Sequence, residues 1–272
     1  MTDAPAITSQ GRRARPRVTL HGLRRGATRV RLSLAVGLRL REPVVVVLIA
    51  TVVLSAYFVA LPGVDMAVSA LFHSEGGFTL SGDPALKALR KSSSWTMGVM
   101  LLGLMATIAG GLIRSPRHLT IPVRRALVLI AGLVLASGLL VNGVLKSMWG
   151  RARPIQIEAF GGDADFSRAW SVSDQCLSNC SFVSGEGSSA AWMVAVVAVM
   201  TPPQWRRWTL PAAVAYGAAL SINRIAFGGH FLSDILLSWA LTGLVLAALC
   251  RLALSCPRKA RETRRARRFA AA

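Results

Sequence analysis

Six long apolar runs punctuate the chain, and the short stretches between them collect its charges. The runs cover Val44 to Leu61, Trp95 to Ile113, Ala126 to Leu145, Ser184 to Met200, Trp208 to Ile222 and Phe231 to Cys250. A helix that crosses the hydrocarbon of a bilayer needs about 20 mainly apolar residues, and a short or tilted one about 17. Each run therefore predicts a spanning helix, the fourth and fifth only if their helices continue past the purely apolar stretch. The expected fold class is an all-α integral membrane bundle of six transmembrane helices over residues 43–250, with a basic arm at 1–42 and a basic tail at 251–272. The first run is expected to be an uncleaved anchor, because a basic arm of 42 residues stands ahead of it and no small-residue cleavage site follows.

Composition agrees with that pattern. Of 272 residues 53% are apolar and only 16% are charged, and a mean hydropathy of +0.50 is too high for a soluble domain of this size. The net charge of +20 raises nucleic acid as a partner. Its distribution argues against that, because the basic residues crowd the two ends and the short gaps instead of alternating with aromatic residues on a polar platform. Membrane is the partner expected and nucleic acid is not.

An even number of spans puts both termini on one side, and the excess of Lys and Arg identifies that side as cytoplasmic. Counted this way, 24 basic residues lie inside and eight outside. The loops at 62–94, 146–183 and 223–230 are then expected to face the periplasm or cell exterior. The amino-terminal arm places Leu20, Leu23, Ala27, Val30 and Leu34 at helical spacing among arginines, which suits either an interfacial helix or a plain topology signal.

Three polar clusters fall on that outer face: Lys146 to Pro154 after the third run, Ser181 to Ser189 opening the fourth, and Asn223 to Asp234 joining the last two. Charges at helix mouths cost several kcal/mol unless paired or used. Lys146, Arg153 and Arg224 offer cationic donors, and the guanidinium fork matches phosphate oxygens. Ser184 and Gly185 stand where a loop becomes a helix, so unpaired amides and the positive helix end face the same anion. His230 and Asp234 are four apart at a helix start, which stacks them on one face and lets a carboxylate orient an imidazole as base or nucleophile. Singly, these features are equally served by snorkelling side chains, small-residue packing or a structural His–Asp pair. Jointly, on one membrane face, they point to a phosphate.

With these residues the chain resembles the type 2 phosphatidic acid phosphatase superfamily of membrane lipid phosphatases. The family's signature is Lys, six residues, Arg-Pro; then Pro-Ser-Gly-His; then Ser-Arg, five residues, His, three residues, Asp. Lys146, Arg153 and Pro154 fit the first part, Ser184 and Gly185 the second, and Arg224, His230 and Asp234 the third. The resemblance implies that Lys146, Arg153, Ser184, Gly185 and Arg224 bind the phosphoryl group. It implies His230 as the nucleophile that becomes a phosphohistidine, Asp234 as its orienting group, and chemistry with no metal or cofactor. Val183 replaces the Pro and Asn223 the Ser. The major departure is Glu186, which stands where the family has the His that protonates the leaving group, so Glu186 is the expected general acid.

The function so implied is removal of phosphate from a lipid phosphate or diphosphate at the outer face of a bacterial inner membrane, the candidates being phosphatidic acid, phosphatidylglycerol phosphate, undecaprenyl diphosphate and lipid A. The rivals are a phospholipid-binding or transport protein without turnover and a transferase that passes the phosphate to another lipid. Cys176 and Cys180 flank a short turn in a compartment where disulfides persist, and a bridge between them is expected, while Cys250 and Cys256 are expected to be free.

Overall fold

The computed structural model describes residues 42–254, so the amino-terminal arm, Cys256 and most of the basic tail lie outside the described residues. Among the described residues there are seven helices and no β-strand, only two isolated bridges. They are α1 (Pro43–Ala60), α2 (Gly63–Ala70), α3 (Pro84–Arg114), α4 (Ile121–Met148), α5 (Gly185–Met200), α6 (Pro203–Ala226) and α7 (Leu232–Leu254).

Six of these stand on the six apolar runs. Four, α1, α3, α4 and α7, are both long and apolar enough to cross a membrane. The other two fall short in different ways: α5 is apolar but has 16 residues, and α6 has 24 residues but opens on Gln204, Arg206 and Arg207 and closes on Asn223 and Arg224. The largest difference from expectation is α3, which begins eleven residues before its apolar run. Asp83 caps it, its Oδ1 accepting from the Leu86 amide at 2.8 Å, and Pro84 supplies the first helical residue with a φ already suited to it. Polar residues 87–94 therefore continue the helix instead of forming a loop. At the other end of the chain α7 runs to Leu254, four residues into the expected tail.

Helices α5 and α7 form the centre, with α6 and α1 packed beside them and α4 touching both. Close approach is set by small residues: a Cβ on Gly187 would strike Ser238 Oγ of α7, so only glycine admits this crossing. Buried Trp192 of α5 lies in a cluster with Leu129, Ala190, Leu220 and Leu246, and its Nε1 donates to the Leu129 carbonyl at 2.7 Å. The middle of α4, Leu133–Leu145, is wound with π-helical hydrogen bonding, and Asn142 and Lys146, four apart, both face the cavity described below. Outward faces of α1 and α3 expose Val52, Val53, Val99 and Leu102, as lipid contact requires.

Candidate active site

The segment 149–183 folds over one end of the bundle on two aromatic clusters. Trp170 meets Trp149 and Phe182 edge to face, and Phe78, Phe160 and Phe231 form a second group, with the His73 ring edge-on to Phe78 and tilted against Phe160. Backbone hydrogen bonds then stitch the three polar clusters together. Ile155 N donates to the Gly228 carbonyl at 3.0 Å, Ser181 N to Arg151 O at 2.8 Å, and Ser184 N to Asp234 O at 3.1 Å. Gly228, at φ +62°, turns the chain in the left-handed region that favours glycine, against the Phe78 ring.

This stitching encloses a cavity of about 800 Å³ lined by Asn142, Lys146, Arg153, Gly185, Glu186, Arg224 and Gly229. A further wall, expected from the sequence to lie in the 62–94 loop, is the start of α3, with Lys87, Arg90, Lys91, Ser93 and Ser94. Lys146 Nζ donates to Asn179 Oδ1 at 3.2 Å, and Arg153 reaches the Asn179 carbonyl with Nη2 at 2.7 Å. Asn179 sits at φ +50° inside the five-residue turn closed by the Cys176–Cys180 disulfide, so the bridge presents two acceptor oxygens to the two cations. Cys250 is a free thiol. Burial pushes the Arg153 guanidinium below its ordinary value, Arg90 adds to this, and Glu186 opposes it. Cations are crowded here.

Arg224 is almost fully buried at the end of α6, its guanidinium lying against Gly229, where any Cβ would collide with it. Its Nε lies 3.0 Å from Glu186 Oε2, without the alignment of a hydrogen bond, while the other carboxylate oxygen accepts from Arg90 Nε at 3.0 Å. Glu186 is thus clasped between two arginines. Neighbouring Asn223 donates through Nδ2 to the Leu86 carbonyl at 3.0 Å, which ties the end of α6 to the start of α3.

Ser184, His230 and Asp234 stand just behind the cavity wall. Ser184 is fully buried and caps α5, its Oγ accepting from Gly187 N at 3.1 Å, so it shapes the helix start and Gly185 faces the cavity. His230 follows Gly229. Its Nδ1 is 2.8 Å from the Ser181 carbonyl and 3.8 Å from Asp234 Oδ2. An acceptor at Nδ1 fixes the proton there and leaves the lone pair on Nε2. Burial pushes the imidazole down to about 4, aided by Arg224 and Lys146 and opposed by Asp234, so it is neutral at physiological pH. The direct orienting group is thus a backbone carbonyl, and Asp234 acts one step further back by accepting from Ser181 Oγ at 2.5 Å and Phe231 N at 2.9 Å.

Asp234 is itself held by Arg151, a fully buried residue inside the Lys146 to Pro154 cluster. Arg151 Nη1 donates to Asp234 Oδ1 at 2.7 Å and Ser233 Oγ at 2.8 Å, Nη2 to Asp65 Oδ2 at 2.9 Å, and Nε to the Ser167 carbonyl at 2.8 Å. The Phe231 ring lies 4.3 Å from its Cζ. Asp65 comes from α2 and also accepts from Ser233 N and Oγ; burial pushes its carboxyl up, against Arg151. An unbroken chain of contacts thus runs from Asp65 through Arg151, Asp234 and Ser181 to His230. Among the described residues no three His, Cys, Asp or Glu side chains gather as metal ligands.

Residues 127–257 match the PAP2 superfamily. A lipid A 4'-phosphatase of Rhizobium etli is 40% identical over 129 residues, which is 47% of this chain and 50% of that protein. One from Rhizobium leguminosarum is 43% identical over 126 residues, 46% of this chain and 53% of that protein. One from Francisella tularensis subsp. novicida is 40% identical over 113 residues, 41% and 51% of the two chains. The chain spans about half the length of the curated relatives it matches. A solved structure, described as the first transmembrane PAP2 type phosphatidylglycerolphosphate phosphatase from Bacillus subtilis, covers 80% of this chain and 98% of its own at 21% identity, with a TM-score of 0.47.

Proposed function

We propose that this chain, whose residues 127–257 match the PAP2 superfamily, is a membrane phosphatase that hydrolyses a lipid phosphate by way of a phosphohistidine on His230. One observation carries this reading. A cavity walled by Lys146, Arg153, Gly185, Arg224 and Gly229 adjoins, through Gly229, the buried His230, whose Nδ1 lies 2.8 Å from the Ser181 carbonyl. The names of the relatives support a glycolipid of the lipid A class as substrate, with a ring hydroxyl as the leaving group. The basic asymmetry of the sequence supports a six-span arrangement in a bacterial inner membrane, with both termini inside and the cavity facing the periplasm.

In the first step His230 Nε2 attacks phosphorus and the bond to the leaving oxygen breaks. Lys146, Arg153, Arg224 and the Gly185 amide hold the other phosphoryl oxygens. A ring alkoxide leaves poorly without a proton, and Glu186 occupies the family's position for the acid. In the unliganded site two arginines pair with its two carboxyl oxygens. An arriving phosphoryl group that carries one proton takes Arg224 from Glu186 and passes that proton to the freed carboxylate. Glu186 then gives this proton to the leaving oxygen, in the second step takes one from the water that attacks the phosphohistidine, and passes it to the departing phosphate, which restores both residues.

The test is release of inorganic phosphate by purified protein from a panel of lipid phosphates in detergent, repeated in right-side-out membrane vesicles with substrate added outside. Release from none of the panel overturns the function, and release only from inverted vesicles overturns the sidedness. For Glu186→Gln the expected result is a loss of about 10²- to 10⁴-fold in kcat on a phosphomonoester, the range typical of general acids, and a smaller loss on a diphosphate. Equal rates for parent and variant on both substrates at every pH would remove Glu186 from the chemistry.

A further inference from the structure

The cavity carries more positive charge than one phosphoryl group occupies. Beyond Lys146, Arg153 and Arg224, the start of α3 contributes Lys87, Arg90, Lys91 and Ser94. These are positions i, i+3, i+4 and i+7, so they form one stripe on one helix face. Arg90 is committed to Glu186. Asp83, the nearest acid in sequence to Lys87, is spent on the cap of α3. Among the described residues no acid is paired with Lys87 or Lys91.

Such a stripe is unfavourable by itself. Like charges four apart on a helix repel, and Lys87, the fourth residue of α3, opposes the positive end of the helix dipole. An anion lying between the two ammonium groups removes both costs. The stripe also cannot fall away from the site, because Asn223 binds the Leu86 carbonyl, and Ser92 and Thr96 contact the Tyr216 hydroxyl of α6 at 2.7 and 3.2 Å.

We infer that Lys87, Lys91 and Ser94 form a second anion site, which takes a second phosphate borne by the same lipid whose first phosphate sits at Lys146, Arg153 and Arg224. The inference rests on the phosphatase reading of the cavity and narrows it to a substrate with two phosphates on separate parts of its headgroup. About 800 Å³ accommodates a sugar-sized headgroup between the two sites. The clasp of Arg90 on Glu186 joins the stripe to the residue proposed to protonate the leaving oxygen.

The experiment compares parent and Lys87→Gln/Lys91→Gln protein on a glycolipid bisphosphate and on the matching monophosphate, in neutral detergent with and without added phosphatidylglycerol. Both KM and the Kd of each lipid are measured. The double variant is expected to raise KM and Kd for the bisphosphate about tenfold or more, as for the loss of two charge-assisted contacts, with the monophosphate constants unchanged within about twofold. Equal effects on both lipids, or no effect on either, overturn the second site. An effect that appears only with phosphatidylglycerol present gives the stripe to a neighbouring lipid and also overturns it. Should the parent release no phosphate from either lipid, the phosphatase reading fails and the Kd comparison still decides the stripe.

Discussion

His230→Ala protein is expected to release phosphate at least about 10³-fold more slowly than the parent, because it lacks the atom proposed to bond to phosphorus and retains only the proposed binding groups. The substitution removes an imidazole held at one nitrogen by the Ser181 carbonyl. A folding control comes from the same residue. With a folded pKa of about 4 against an ordinary value near 6.5, the imidazole resists protonation in the native state, so its contribution to stability is present above pH 6.5 and is lost as pH falls through 4. In His230→Ala the melting temperature should therefore depend less on pH across that window while the protein still folds at neutrality. Unchanged phosphate release by folded variant would refute the nucleophile.

Arg151→Met should destabilise the protein by about 3–5 kcal/mol, the usual consequence of removing one partner from a buried ion network. Two carboxylates, Asp65 and Asp234, would be left facing each other with no cation between them. The neutralised pair Arg151→Met/Asp65→Asn should recover part of the loss, a coupling that a thermodynamic cycle measures in detergent by thermal unfolding. Because Arg151 acts on His230 only through Asp234 and Ser181, the folded fraction of Arg151→Lys should show reduced kcat with little change in KM. A loss confined to KM would mean that the network does not position the nucleophile.

Why some of this was legible in the sequence and some was not follows from the length scale of each signal. A spanning helix must be apolar over its whole crossing, so α1, α4 and α7 lie within a few residues of the runs that announce them. The start of α3 is polar and carries no hydropathy signal. Its only local marks are Asp83 and Pro84, a cap and first-residue pair that a search for start signals finds and a hydropathy window does not. The short helix α2 escaped for the same reason, and Asp65 with it. Spacing places Lys146, Arg153, Arg224, His230 and Asp234 in a known motif, but Arg151 sits inside the first part of that motif as one of its unspecified residues. Its significance depends on Asp65, 86 residues earlier in the chain, and on a desolvation that only tertiary packing produces. The direct partner of His230 was invisible because it is a backbone carbonyl, which every residue possesses.

The length of α3 sets the kinetics that this protein obeys. Its 31 residues span about 46 Å, against about 30 Å of hydrocarbon, so roughly ten residues at its start project beyond the acyl region. Exposed Trp95 follows that projecting part immediately, at the depth where indole rings settle among headgroups. The cavity wall therefore rises out of the same plane in which phospholipid headgroups lie. On the proposed reading, a lipid substrate reaches the site by sideways diffusion with its tails still dissolved in the leaflet, without extraction into water. Turnover should then saturate with the mole fraction of substrate in a vesicle or micelle and stay unchanged when the bulk lipid concentration is varied at constant mole fraction, which is the signature of surface dilution.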